Sequence, residues 1–262
     1  METEDQHPAD YRSRLVSATS ARFDQYPAGS TIVTQFVIKT SGGRIMSFDA
    51  PSGSALALAS AVENAALAET HRISIVERIV ATPFGDSIQL EPASQVFDFI
   101  AACRVVAICS FMAIEYFTND VISHFPNAPV HVERQAHDKA GTQRQRRRTI
   151  TLPAKSLERS GTHEKLDRVL PQLLGIESPK GKYAWETFEH LRRLRDETVH
   201  TKSRDLNPRV LHSDDLDRPS VIRQYLEEDL NEWISTAVLM MEYFKPRVNV
   251  LQLDWLDNFK HD

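Results

Sequence analysis

Trp185-Glu-Thr-Phe188-Glu-His-Leu191-Arg-Arg-Leu194-Arg195-Asp196-Glu-Thr-Val199-His200 is the stretch whose reading decides the fold. At about 100° per residue, Trp185, Phe188, Leu191, Leu194 and Val199 fall on one half of a helical wheel. That is the pattern of an amphipathic helix packed on a core. Arg195 lands in the middle of the apolar half, at roughly 280° from Trp185. Asp196 and His200 lie one turn apart at its edge. An inward arginine is costly unless something pairs with it. It therefore points to a buried ion pair, a subunit interface or a site.

Outward from this helix the chain reads as further helices. Residues 93–124 form a long one, with Pro92 where a first-turn proline is tolerated and Phe125-Pro126 as the stop. Its apolar stripe of Phe97, Ile108, Phe111, Met112 and Ile122 also holds Arg104, Glu115 and Asn119. Three polar groups on an apolar face need partners, so this anomaly matches that of Arg195 in kind. A helix starts near Thr162 and stops at Gly175, and a last long helix covers residues 221–243. The tail beyond Pro246 carries Val248, Val250, Leu251, Leu253, Trp255, Leu256 and Phe259 and docks on the fold or on a partner.

The first ninety residues differ. Residues 1–10 read as a disordered lead and residues 11–26 as a short helix. Residues 31–39 and 44–48, joined by Thr40-Ser-Gly-Gly43, read as a hairpin, the one firm β element. Residues 55–68, rich in alanine and leucine, read as a helix. The expected fold is thus mainly α. A small N-terminal α+β appendage (residues 1–90) precedes an antiparallel helical bundle (residues 91–262) with a basic loop at 126–162 and the C-terminal tail.

Composition bounds the function. The chain has 262 residues, a net charge of −5 and 26% charged residues, ordinary for a soluble globular protein with a sizeable core. Wide-surface nucleic-acid binding usually goes with a basic balance, so any such contact must come from a local patch. The cluster Arg144, Arg146, Arg147, Arg148 is the natural candidate, read otherwise as a solvated basic loop. Cys103 and Cys109 sit on different faces of one helix and read as core thiols in a reducing cytosol. The acidic start has no apolar signal region, and the run 97–112 is short and interrupted by Asp98 and Arg104. These features predict a cytoplasmic protein with no membrane contact. There is no Gly-rich phosphate loop, His-Glu-x-x-His, zinc-spaced Cys/His set, Gly-x-Ser-x-Gly elbow or kinase signature, so no cofactor is expected. His212-Ser-Asp214-Asp215 could hold a divalent ion or be a polar loop.

What remains is Arg195-Asp196-x-x-x-His200, with Lys202 and Arg204 beyond it and Glu115 and Asn119 on the earlier helix. Here the chain resembles the HEPN family (higher eukaryotes and prokaryotes nucleotide-binding domain). That family is an all-α bundle with the signature Arg, a polar residue, three further residues, then His, near the end of a core helix. Residues 111–119 look like the family's early helix, whose acidic residue faces the signature, and the resemblance covers roughly residues 93–245. It implies a metal-independent endoribonuclease that works as a homodimer, its composite site formed where two copies meet. It further implies a toxin or antiviral defence role, with an antitoxin or regulatory protein as a possible partner. The alternative it leaves open is a non-catalytic interaction or nucleotide-binding module.

The implied roles follow from the chemistry. Cutting RNA by attack of the 2′-OH needs a base, an acid and positive charge on the phosphorane. His200 suits the proton transfers and Arg195 the phosphate oxygens. Asp196 would fix the His200 tautomer and Glu115 would orient Arg195. Asn119 and Arg104 would support them, and Lys202, Arg204 and the basic cluster would hold RNA. On a regular helix Arg195 and His200 point about 140° apart, which favours a site completed by a second copy.

Overall fold

A computed structural model describes residues 11–12, 15–17, 31–76, 79–82, 85–88, 94–136, 146–200 and 221–259. The chain is mainly helical, with small antiparallel strand pairs. Its axis is the helix predicted over 93–124, observed as α2 (Ser94–His124). The longest contact of α2 is with α1 (Gly53–Val76), and it also packs on α5 (Tyr183–Val199) and α7 (Leu230–Phe244). Thirteen α2 residues are buried, among them Phe99, Phe111, Ile114 and Phe117. By length and composition alone α2 could also cross a bilayer, and half of its most apolar stretch is buried inside the fold.

Helix α1 extends the predicted 55–68 helix at both ends, and its alanines let it lie close to α2. Ala55, Leu58, Ala61, Ala65 and Ala68 belong to the same apolar cluster as Phe99, Val106 and Phe111. The division expected near residue 90 therefore passes between two helices that share one core.

The hairpin at 31–48 forms as β3 (Gln35–Lys39) and β4 (Ile45–Asp49), with Phe36 opposite Phe48. Among the described residues three further strand pairs accompany it. Within the stretch 11–26, expected to be a short helix, the described residues Leu15–Ser17 form β1, which pairs with β2 (Thr31–Val33); residues 13–14 and 18–26 lie outside the described residues. β5 (Ile79–Thr82) pairs with β6 (Gly85–Ile88). The segment 126–162, read as a basic loop with a short extended piece at residues 149–152, contains the hairpin β7 (Pro129–Ala136) and β8 (Arg146–Pro153), the second strand covering that piece. Pro129 and Pro153 face each other at its open end, a strand terminus where a missing N–H is tolerated. Val130 and Val132 anchor the hairpin in the core.

After β8 come α3 (Thr162–Glu164), a π turn at Lys165–Val169 and α4 (Leu170–Leu174). Gly175 ends α4 with φ 63°, the left-handed cap that glycine takes at no steric cost. The helix expected over 221–243 is two: α6 (Val221–Glu227) and α7 (Leu230–Phe244). The break sits at Asp229, whose carboxylate accepts from the Asn231 amide at 2.9 Å and caps α7. The tail docks on the fold, with Leu251, Leu253, Trp255, Leu256 and Phe259 buried.

Candidate functional site

In α5 the predicted stripe is inward: Trp185, Phe188, Leu191 and Leu194 are buried. Val199 is not, at 48% exposure, because α5 ends there, and Thr198 takes the buried place in the last turn. Arg195 faces α2. Its guanidinium carbon lies 4.0 Å from the centroid of the Phe111 ring, which itself stacks on Phe188 at 6.0 Å. A guanidinium is weakly hydrated and planar, so an aromatic face can take over part of its solvation.

Glu115 does not provide the expected ion pair to Arg195. Among the described residues the Arg195 carboxylate partner is its neighbour Asp196, Nη1 to Oδ1 at 2.9 Å. Arg192 approaches the other oxygen of Asp196 at 3.7 Å and bonds Glu189 at 2.9 Å. The Asp196 carboxylate thus faces two arginines rather than His200. The contact between Asp196 and His200 is instead backbone, the His200 amide donating to the Asp196 carbonyl at 2.9 Å. His200 is the exposed C-cap of α5 rather than its last helical residue, so its ring reaches solvent.

Arg104 does join this end of α5. Its Nη2 reaches the Thr198 carbonyl at 3.5 Å, a helix C-terminus where positive charge is favoured. Thr198 is locked from below, its hydroxyl bonding the Leu194 carbonyl at 2.7 Å and the Tyr225 hydroxyl at 2.8 Å. Burial pushes the Tyr225 phenol up in pKa, against the opposing pull of Thr198 and Arg104. Arg104, Arg195 and His200 therefore gather around the last turn of α5.

The rest of the α2 stripe goes elsewhere. Asn119 Oδ1 accepts from the Lys165 ammonium at 2.6 Å. Lys165 is 1% exposed; burial lowers its pKa, opposed by the charges of Glu115 and Glu158. Glu115 and Asn119 thus serve Lys165, which sequence reasoning misses. Lys165 opens the π turn, where an extra residue per turn swings it off the face that a regular helix predicts.

Of the basic cluster, Arg146, Arg147 and Arg148 lie on β8, and Arg148 is exposed opposite Arg134. Arg134 is held by Glu164 at 2.7 Å. Arg144, Lys202, Arg204 and the His212–Asp215 segment lie outside the described residues. Burial pushes the Cys103 thiol up to about 12 and raises that of Cys109, which leaves both poor nucleophiles. Compared with family models, curated proteins and solved structures, the chain matches none.

Proposed function

We propose that the chain is a HEPN-type endoribonuclease with a HEPN-like bundle, cutting RNA without a metal ion at a site shared by two copies. The carrying observation is that Arg195 and His200 both meet solvent at the last turn of α5. Arg195 is 29% exposed, and Arg104 lies beside them on the Thr198 carbonyl. In this reading His200 of one copy takes the proton of the ribose 2′-OH, whose oxygen attacks phosphorus. The 5′-oxygen leaves with a proton from the second copy's histidine, and the product ends in a 2′,3′-cyclic phosphate. Arg195 and Arg104 stabilise the charge on the phosphorane. The role would be that of a cytoplasmic toxin or defence effector, restrained by an antitoxin or regulatory protein.

One observation favours the non-catalytic alternative. Asp196 binds arginines, and among the described residues no carboxylate sets the His200 tautomer, unlike a histidine oriented for proton transfer. An RNA-cleavage assay in EDTA separates the two readings. For the enzyme, wild type cuts in chelator and leaves cyclic phosphate ends, while folded His200→Ala loses at least ~100-fold. If wild type leaves RNA intact and Arg195→Ala only lowers the melting temperature, the ribonuclease reading fails.

A further inference from the structure

The two edges of the β7–β8 hairpin differ in how their backbone groups are met. The Ala154 amide donates to the Ala128 carbonyl at 2.9 Å, so the pair just beyond the strands is a hydrogen-bonded one. Such pairs alternate with pairs whose N–H and C=O groups point away from the partner strand. By the register, the outward set includes His131 on β7 and Arg147, Thr149 and Thr151 on β8. On β7 the outward groups of His131 are taken by Gln172. Its Oε1 accepts from the His131 amide at 2.8 Å and its Nε2 donates to the His131 carbonyl at 2.9 Å. That side chain does what a third strand would do, and Pro129 brings no N–H to the same edge.

On β8 nothing plays that part among the described residues. The Pro153 carbonyl accepts from the Ser156 hydroxyl at 2.7 Å, which closes one end of the edge. The amides and carbonyls of Thr149 and Thr151 have no partner among the described residues, and both threonines are exposed. The strand that carries them is fixed on the core, since Ile150 and Leu152 stand opposite the buried Val132 and Val130. The sequence puts Arg146, Arg147 and Arg148 at the first three positions of this strand and Arg144 just before it. An exposed edge of β-branched residues with unmet backbone groups is a template for a further strand.

We propose that the β8 edge takes up an acidic extended segment of another protein as an added strand. Outward N–H and C=O groups on every second residue match an extended peptide backbone. The phosphates of a nucleic acid accept from the amides and leave the carbonyls unmet. The arginines then choose among strands. In a two-fold pairing of β8 with a second copy, centred on Thr149, Arg148 stands opposite Ile150, Arg147 opposite Thr151 and Arg146 opposite Leu152. No carboxylate meets them, and like charges gather in one sheet. A strand with Glu and Asp across from residues 146–148 and β-branched residues across from 149–152 suits every position. Nothing in this assignment rests on the ribonuclease reading.

The test is fluorescence anisotropy of a labelled, end-blocked peptide, Thr-Val-Thr-Val-Glu-Asp-Glu, titrated with the full chain. The expected result is saturable binding that weakens about tenfold in Arg148→Glu, which leaves the backbone alone. Thr149→Pro removes an outward N–H at an edge position where proline is tolerated, and should weaken binding at least as much. Of two peptides N-methylated at alternate residues, the one whose methyl groups face β8 should lose binding and the other keep it, a readout that needs no variant of the chain. Absence of saturable binding at high micromolar concentration overturns the proposal. Binding unchanged in Arg148→Glu, or indifferent to both Thr149→Pro and the place of the methyl groups, does so too. A dimer of the chain that is lost in Thr149→Pro gives the edge to a second copy. An RNA oligonucleotide that binds tighter than the peptide and is released by Arg148→Glu gives it to nucleic acid. Either result overturns the assignment to an acidic strand.

Discussion

Two turns apart on α2, Phe111 and Asn119 each receive a cation from a neighbouring helical segment. The Arg195 guanidinium lies over the Phe111 ring, 29% exposed and paired with Asp196. The Lys165 ammonium is 1% exposed and bonds one neutral oxygen, with Glu115 and Glu158 acting through charge. The difference follows from the two cations. A planar, weakly hydrated guanidinium tolerates an aromatic face and keeps an edge in water, whereas a compact ammonium stripped of water depends on the few acceptors aimed at it. Removing an acceptor should therefore cost far more at Lys165 than at Arg195.

The largest expected effect is at Asn119. Asn119→Leu leaves the buried ammonium without its acceptor and should destabilise the protein by about 3 kcal/mol, read by chemical denaturation. Adding Lys165→Met should recover most of that loss, since an apolar pair of similar volume can replace a buried polar one. If Asn119→Leu costs as much in the Lys165→Met background as in wild type, the two residues are uncoupled and the comparison breaks.

The same lysine predicts a pH dependence of intermediate size. Burial holds its folded-state pKa below the ordinary lysine value of 10.5, so between the two values the unfolded chain binds more protons. Stability therefore rises with pH through that window, and the gain is lost as pH falls through the folded value. Denaturation midpoints from neutral pH upward should show this rise in wild type and not in Lys165→Met. Equal slopes would mean that Lys165 keeps its proton as readily in the fold as outside it.

These contrasts mark where the sequence can be read. The stripe of Trp185, Phe188, Leu191 and Leu194 is legible because a regular helix repeats its buried face, and so is the hairpin around Gly43 with its turn chemistry. The inward aim of Arg195 is legible for the same reason, but its partner is not: an aromatic face leaves no charge signature, and Glu115 is the obvious acid. Lys165 escapes because a π turn breaks the 3.6-residue repeat. The break before α7 is visible in principle, since Asp229 and Glu232 have the spacing of a capping box. The apolar stripe running through residues 221–243 conceals it. Pro129 and Pro153 read as loop punctuation, although a strand end tolerates them equally well.

The smallest effect is expected at Arg195, and it tests the comparison from its other side. Arg195→Lys keeps the charge and can still reach Asp196, but it removes the plane that lies on Phe111. The loss should be about 0.5–1 kcal/mol, several times less than at Asn119, because the substituted ammonium can turn its head to the water that already touches Arg195. Phe111→Leu should make the Arg195→Lys change nearly neutral, since the ring that distinguishes the two cations is then gone, and a double-mutant cycle reads that coupling directly. If Arg195→Lys instead costs as much as Asn119→Leu, Arg195 is as dependent on its protein partners as Lys165. The solvent-facing edge assigned to the last turn of α5 would then be lost, and with it the access that the ribonuclease reading requires.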